Sequence, residues 1–212
     1  MLNFERFKKL YAGHLVLEID KMTIDSGIYW LKGANGSGKS TLLKAIAGLL
    51  SFEGQISLAP GTDLKKQSVA YRKVVNFAEA EPVFPEFLTG QEMIRMFVSA
   101  KAGQPGQEQH YLESMQMQHY IQQPISTYSS GMLKKLSLVL AFMGQPELIL
   151  LDEPLITIDS DSLQVLYSWI VEKHQKNGTS FLLASHQALE HESLSKAQVL
   201  RVENRTLKAI AK

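Results

Sequence analysis

The run Gly33-Ala-Asn-Gly-Ser-Gly-Lys-Ser40 constrains this chain more than any other feature, because it satisfies G-x-x-x-x-G-K-[ST] at every fixed position. It follows a strand-like apolar run, Ile28–Leu31, and opens a helical pattern near Lys39. At average composition the pattern arises by chance in about one chain per hundred of this length. The strand–loop–helix setting therefore decides in favour of a phosphate cradle. Gly33, Gly36 and Gly38 have no Cβ to obstruct the approach, so successive backbone N–H groups can turn toward one anion. The helix N-terminus adds free donors and a favourable dipole. In such a loop Lys39 reaches the β- and γ-phosphates, Ser40 offers a hydroxyl to Mg²⁺, and Asn35, Ser37 and Thr41 complete the wall. The ligand this predicts is a nucleoside triphosphate.

The flanking pattern predicts the architecture. Ile28–Leu31, Leu148–Leu151 and Phe181–Ala184 are apolar on both sides, as strands are when helices cover both faces of a parallel or mixed sheet. Leu42, Leu43, Ile46 and Leu49 share one helical face, as do Leu163, Leu166, Tyr167 and Ile170. Alternating strands and helices predict an α/β fold. From about Phe87 to Gly144 the pattern is helical with no convincing strand. This divides the chain into a core, residues 1–86 and 145–212, and an inserted helical lobe, residues 87–144. Six of the eight methionines (Met93, Met96, Met115, Met117, Met132, Met143) fall in the lobe, which reads as loosely specified helix packing or an adaptable partner surface. The Gln-rich run from Gln104 to Gln123 reads as solvated surface. A closing hairpin is expected from Ala197–Val202 and Thr206–Ile210 around Glu203-Asn204, with no room for a further domain after it.

Composition removes several function classes. The chain has no cysteine, so disulfide scaffolds and thiolate metal sites are excluded. A formal net charge of +1 gives no broad attraction to nucleic acid or anionic membrane. Leu136–Met143, the most apolar stretch, is far too short for a membrane span, and the start lacks a signal peptide's apolar region.

Leu148-Ile-Leu-Leu-Asp152-Glu153 is a buried-strand pattern ending in two acids. Ligands of α/β sheets sit at the carboxyl ends of the strands, which places both acids near the phosphates. Asp152 suits Mg²⁺ and Glu153 suits a general base for the attacking water. Side chains alternate along a strand, so the two acids cannot share one role. Ser185-His186 ends the neighbouring buried strand, and His186 there can donate to the γ-phosphate and place the water.

With these motifs in place the chain resembles the ATP-binding subunit of an ATP-binding cassette (ABC) transporter, of the compact exporter-like type, over nearly its whole length. The discriminating segment is Tyr128-Ser-Ser-Gly-Met-Leu-Lys-Lys-Leu136, similar to the family signature L-S-G-G-Q. Ser129 and Gly131 match it; Tyr128, Ser130 and Met132 depart. The resemblance implies a P-loop NTPase (RecA-like) α/β fold with a mixed-sheet core and an inserted helical lobe. It also implies a Mg²⁺-dependent ATPase in which Ser129 and Gly131 face the ATP of a second ATP-binding subunit, identical or not. Tyr11 falls where the family stacks an aromatic ring on adenine; an ordinary core aromatic is the other reading. Asp159 falls at the family's D-loop aspartate, with Thr157 where a glycine is usual. The family's lobe-junction glutamine, a Mg²⁺ contact, falls at Glu79 or Ala80. The implied partner is a membrane-spanning permease, and the implied location the cytoplasmic face of the membrane. The competing class is a soluble ABC ATPase acting on nucleic acid or the ribosome. A single phosphate loop and the lack of a sustained heptad run argue against it.

Overall fold

The structure is a computed structural model that describes residues 1–58, 61–186 and 194–210. Its strands are β1 Leu2–Tyr11, β2 His14–Ile24, β3 Ile28–Lys32, β4 Glu53–Leu58, β5 Thr62–Asp63 and β6 Val75–Ala78 in the first part of the chain. Later come β7 Leu148–Asp152, β8 Ser180–Ala184, β9 Gln198–Glu203 and β10 Thr206–Ile210. The helices are α1 Lys39–Ile46, α2 Ser68–Val74, α3 Gly90–Ala100, α4 Gln109–Ser114, α5 Ser130–Ala141 and α6 Ser160–Asn177.

The central sheet runs β10-β9-β3-β8-β7-β6. All of its pairings are parallel except that of the edge strand β10. Every residue of β7 and β8 is buried, which is why both read as unbroken apolar runs. Side chains on β7 alternate between two cores. Leu148 and Leu150 join α1 on one face, and Ile149 and Leu151 join α5 and α6 on the other. Asp152 continues the parity of Leu148 and Leu150, so its carboxylate faces the helix that follows the phosphate loop. The parallel strands also bring the segments after β3, β6, β7 and β8 to one end of the sheet.

A second, antiparallel sheet, β2-β1-β4-β5, lies over the α1 face. The sequence reading did not anticipate it. Leu2 and Phe4 keep strand parity, but Phe7 does not, and all three are buried. A bulge reconciles them: Arg6 has φ 49°, and the β1–β4 register shifts between Glu5 and Lys8. Gly54 sits against this bulge, where a Cβ would lie 2.0 Å from the Arg6 carbonyl oxygen. The β1–β2 connection is two residues, Ala12 and Gly13, both at positive φ, so Tyr11 ends at a tight hairpin tip.

Other expectations are corrected in detail. α1 stops at Ile46, and Gly48 at φ 74° turns the chain, so Leu49 is 58% exposed instead of sharing the helix face. The Gln-rich segment buries Leu112, Met115, Met117, Tyr120 and Ile121, and Gln107 exchanges hydrogen bonds with the Gly144 backbone. Met115, Met117 and Met143 pack in the core, whereas Met96 is exposed. The closing hairpin forms as β9–β10, with Asn204 and Arg205 at positive φ in its turn.

Candidate functional site

The loop after β3 is shaped by close approach. A Cβ on Gly33 would lie 2.5 Å from Ser37 Oγ and 2.7 Å from the Val202 carbonyl oxygen. Gly38, the residue before α1, has φ 103°. The first turn of α1 carries no acidic side chain, so its N-terminal donors and dipole remain available to an anion. Lys39 is 6% exposed, and its Nζ donates to the carbonyls of Gly33 at 2.8 Å and Ala34 at 3.1 Å, bracing the loop from within. Burial lowers its pKa, against the opposing pull of Glu153 and Asp152.

Asp152 and Glu153 do separate, but Glu153 lies past the end of β7, so a left-handed turn, not the expected strand alternation, sets its direction. Asp152 is 2% exposed, and burial raises its pKa while a hydrogen bond with Ser40 lowers it. Its Oδ1 has no hydrogen-bond partner among the described residues. Glu153 leaves the strand at φ 43°, with its N–H bonded to the Ala184 carbonyl at 2.8 Å. The Glu153 carboxylate lies 3.1 Å from His186 Nε2 and accepts the His186 N–H at 3.3 Å. Tyr11, Val16, residues 35–41, Glu153 and His186 enclose an open cleft of about 540 Å³. Tyr11 is 46% exposed at its edge, with Lys9 Nζ 4.5 Å from the ring centroid, which removes the core-aromatic reading.

Ser129 and Gly131 lie elsewhere. Ser129 caps α5, its Oγ accepting the Met132 N–H at 3.3 Å. Gly131 must be small, because a Cβ would lie 2.9 Å from the Thr157 carbonyl oxygen. Thr157 itself sits at φ 69°, the conformation that a glycine adopts freely. Asp159 caps α6 through Ser162 and pairs with Lys135 at 3.0 Å, interactions that hold its carboxyl well below the usual range. Ser129, Gly131, Thr157 and Asp159 line a second cleft of about 450 Å³ that shares no lining residue with the first.

At the lobe junction, the Glu79 carboxylate pairs with Lys44 Nζ at 2.5 Å. The pair lies within electrostatic reach of Asp152, which Lys44 holds down. Ala80 offers only its backbone. Two lysines here escaped the sequence reading. Lys44 is a surface cation until Glu79 is seen beside it. Lys134 shares the buried face of α5 with Leu138 and Ala141, and a lysine at that spacing signals a cation enclosed with acceptors.

Comparison with known proteins shows the family. The ABC transporter family pattern matches residues 18–156. The chain is 35% identical to the cytochrome c biogenesis ATP-binding export protein CcmA of Legionella pneumophila (strain Lens), over 77% of this chain and 80% of that protein. It is 26% identical to the lantibiotic transport ATP-binding protein SrtF of Streptococcus pyogenes, over 92% and 84%. A solved ATP-binding subunit of an ABC transporter superposes with TM-score 0.86 at 25% identity, covering 99% of this chain and 88% of that one. With its α/β fold and phosphate loop, the chain belongs to the ABC transporter family, as an ATP-binding subunit.

Proposed function

We propose that this chain hydrolyses ATP in a two-fold head-to-tail pair of cassettes and thereby drives a separate membrane-spanning partner in export. One observation carries the reading. The phosphate-loop cleft and the Ser129–Gly131 cleft are distinct surfaces of one chain, so neither alone encloses a triphosphate. A two-fold pairing sets each signature cleft over the other chain's phosphate loop and makes two sites from one interface.

Within that site Tyr11 stacks on the base, and residues 33–41 hold the phosphates. Lys39 exchanges the Gly33 and Ala34 carbonyls for β- and γ-phosphate oxygens. The Ser40 hydroxyl and the unpartnered Asp152 Oδ1 form a hard-oxygen donor set that fits Mg²⁺, with phosphates and water as the remaining ligands. Bound there, Mg²⁺ supplies charge neutralisation for the β- and γ-phosphates. Glu153 takes the proton of the attacking water, and His186 exchanges the contact of its Nε2 with Glu153 for a hydrogen bond donated to the γ-phosphate. Ser129 and the start of α5 supply donors from the opposite chain.

The division into residues 1–86 with 145–212, and 87–144, is part of this proposal, the second unit carrying the signature. No helix among the described residues is long and apolar enough to cross a membrane. The proposed partner is therefore a permease that holds the chain on the cytoplasmic face. The exposed Val83 and Phe87 at the lobe junction offer it an apolar footing.

Glu153→Gln keeps ATP but removes the base, and is expected to slow turnover by roughly 10²–10⁴-fold. Light scattering should then find this variant as an ATP-dependent dimer, and adding Ser129→Arg should return it to monomer. A Glu153→Gln protein that binds ATP yet stays monomeric at high concentration would rule out self-pairing and leave a different ATP-binding subunit as the mate.

A further inference from the structure

Lys134 is fully buried in the first half of α5, five residues after the Ser129 cap. Its Nζ donates to three backbone carbonyls: Glu79 at 2.8 Å, Asp152 at 2.9 Å and Ala80 at 3.2 Å. An ammonium has three protons, and all three are used. The acceptors sit where the sheet stops supplying donors. The β6–β7 ladder ends at Ala78 and Leu151, and the chain beyond it carries the next carbonyls away from their neighbours. A carbonyl turned away from water without a donor is unfavourable, fully so at buried Asp152 and in part at half-buried Glu79 and Ala80, and so is a buried ammonium without acceptors. Here each satisfies the other. The carboxylates of Asp152, Glu153 and Glu79 add favourable charge around the ammonium, without a direct ion pair.

One side chain thus joins three parts of the molecule that its sequence keeps apart. These are the helix that opens the signature cleft, the backbone of the buried carboxylate at the end of β7, and the lobe junction. The Asp152 carboxylate is held by Ser40 and by its own backbone, so its unpartnered Oδ1 keeps its direction only while that backbone is fixed. Groups behind a metal ligand set its direction and so its affinity.

We propose that Lys134 is a positioning residue, fixing the backbone of Asp152 and of Glu79–Ala80 to the signature helix so that the Asp152 carboxylate is aimed for a divalent cation. This rests on the reading of Ser40 and Asp152 as the cation's ligands. Mn²⁺ is the probe, its binding to the ATP-loaded protein followed by electron paramagnetic resonance, which needs no turnover. Lys134→Met should bind Mg-free ATP within twofold of wild type, because the phosphate loop is untouched, while Mn²⁺ affinity falls at least fivefold. Lys134→Arg, which keeps the donors and the charge, should recover most of that loss.

A folded Lys134→Met protein with wild-type Mn²⁺ affinity would overturn the proposal. So would equal losses of Mn²⁺ and Mg-free ATP binding, which mark general damage. If Lys134→Met does not fold, Lys134→Gln, with two donors and no charge, takes its place under the same criteria. Should the wild type bind ATP and Mn²⁺ without hydrolysing ATP, the proposed turnover falls, while the Mn²⁺ comparison still decides the role of Lys134.

Discussion

The phosphate-loop cleft is lined by ionisable side chains, Lys39, Glu153 and His186 among them. The signature cleft is lined by a serine cap and a glycine, and its Lys135–Asp159 pair is closed on itself at 3.0 Å. The first cleft depends on charge held out of water, the second on backbone fit. Removing a charge should therefore be severe in one, whereas changing a methyl group should be felt in the other.

The largest effect expected is at Lys39. Lys39→Ala removes the cation facing the triphosphate and also the brace on the Gly33 and Ala34 carbonyls. ATP hydrolysis should fall below detection, by more than roughly 10³-fold, given how much phosphoryl transfer relies on positioned charge. Measurable wild-type-like phosphate release would break the assignment of this cleft.

A second test uses the Glu79–Lys44 pair. The sequence alone suggests that a glutamate at this junction adds negative charge opposing the triphosphate. In the structure Lys44 balances it. Lys44→Met should expose the uncompensated carboxylate and raise the ATP concentration for half-maximal turnover about three- to tenfold at low salt. The double variant Lys44→Met, Glu79→Gln should return most of that change. Equal effects at 0.05 and 0.5 M salt would show that charge is not the cause.

Lys101 tests how the lobe is held. It leaves the end of α3 and donates to the carbonyls of Arg72 and, at 2.9 Å, Val75. Burial, with Arg72 adding to it, pushes its ammonium down to about 8. The unfolded chain therefore keeps a proton that the folded chain has released between about pH 8 and 10.5, so stability rises with pH in that window. Below pH 8 the cost of burying the charge is felt in full. The thermal midpoint should climb from pH 7.5 to 9.5, and climb less in Lys101→Met. Lys134 and Lys173, also lowered by burial, keep part of the rise. Above about pH 10 the trend should reverse, because buried Tyr111, pushed up to about 12, resists an ionisation that the unfolded chain accepts.

Legibility followed the range of the determining interactions. The phosphate loop, the acid pair and the His186 strand end were readable because each is one contiguous segment tied to a strand end. The antiparallel sheet was not, since the bulge at Arg6 breaks the alternation that identifies a half-buried strand. Lys44 and Lys134 were hidden for another reason. Lys44 meets Glu79 across 35 residues of sequence, Lys134 meets carbonyls 18 residues ahead at Asp152 and more than 50 behind at Glu79 and Ala80, and no local pattern announces a backbone carbonyl in need of a donor.

The smallest effect belongs to the signature cleft, at the point where Gly131 meets Thr157. A β-branched residue at φ 69° carries strain of about 1–3 kcal/mol. Thr157→Gly removes that strain, loses the short hydroxyl bond to the Ile156 carbonyl at 2.6 Å, and gives the unfolded chain about 0.5–1 kcal/mol of extra freedom. The threonine is exposed, so water replaces the lost bond. Taking the middle of each range, the balance is a gain of about 1 kcal/mol, or about 2–4 °C in thermal midpoint for a domain of this size. Gly131→Ala works against the same contact from the other side. Its Cβ would lie 2.9 Å from the Thr157 carbonyl oxygen, a backbone atom that cannot swing aside. That variant should lose stability and, in the Glu153→Gln background, ATP-driven dimerisation. Opposite signs at two touching positions would show that this cleft is governed by backbone fit; a loss at both would place the left-handed threonine among the features that the pairing surface requires.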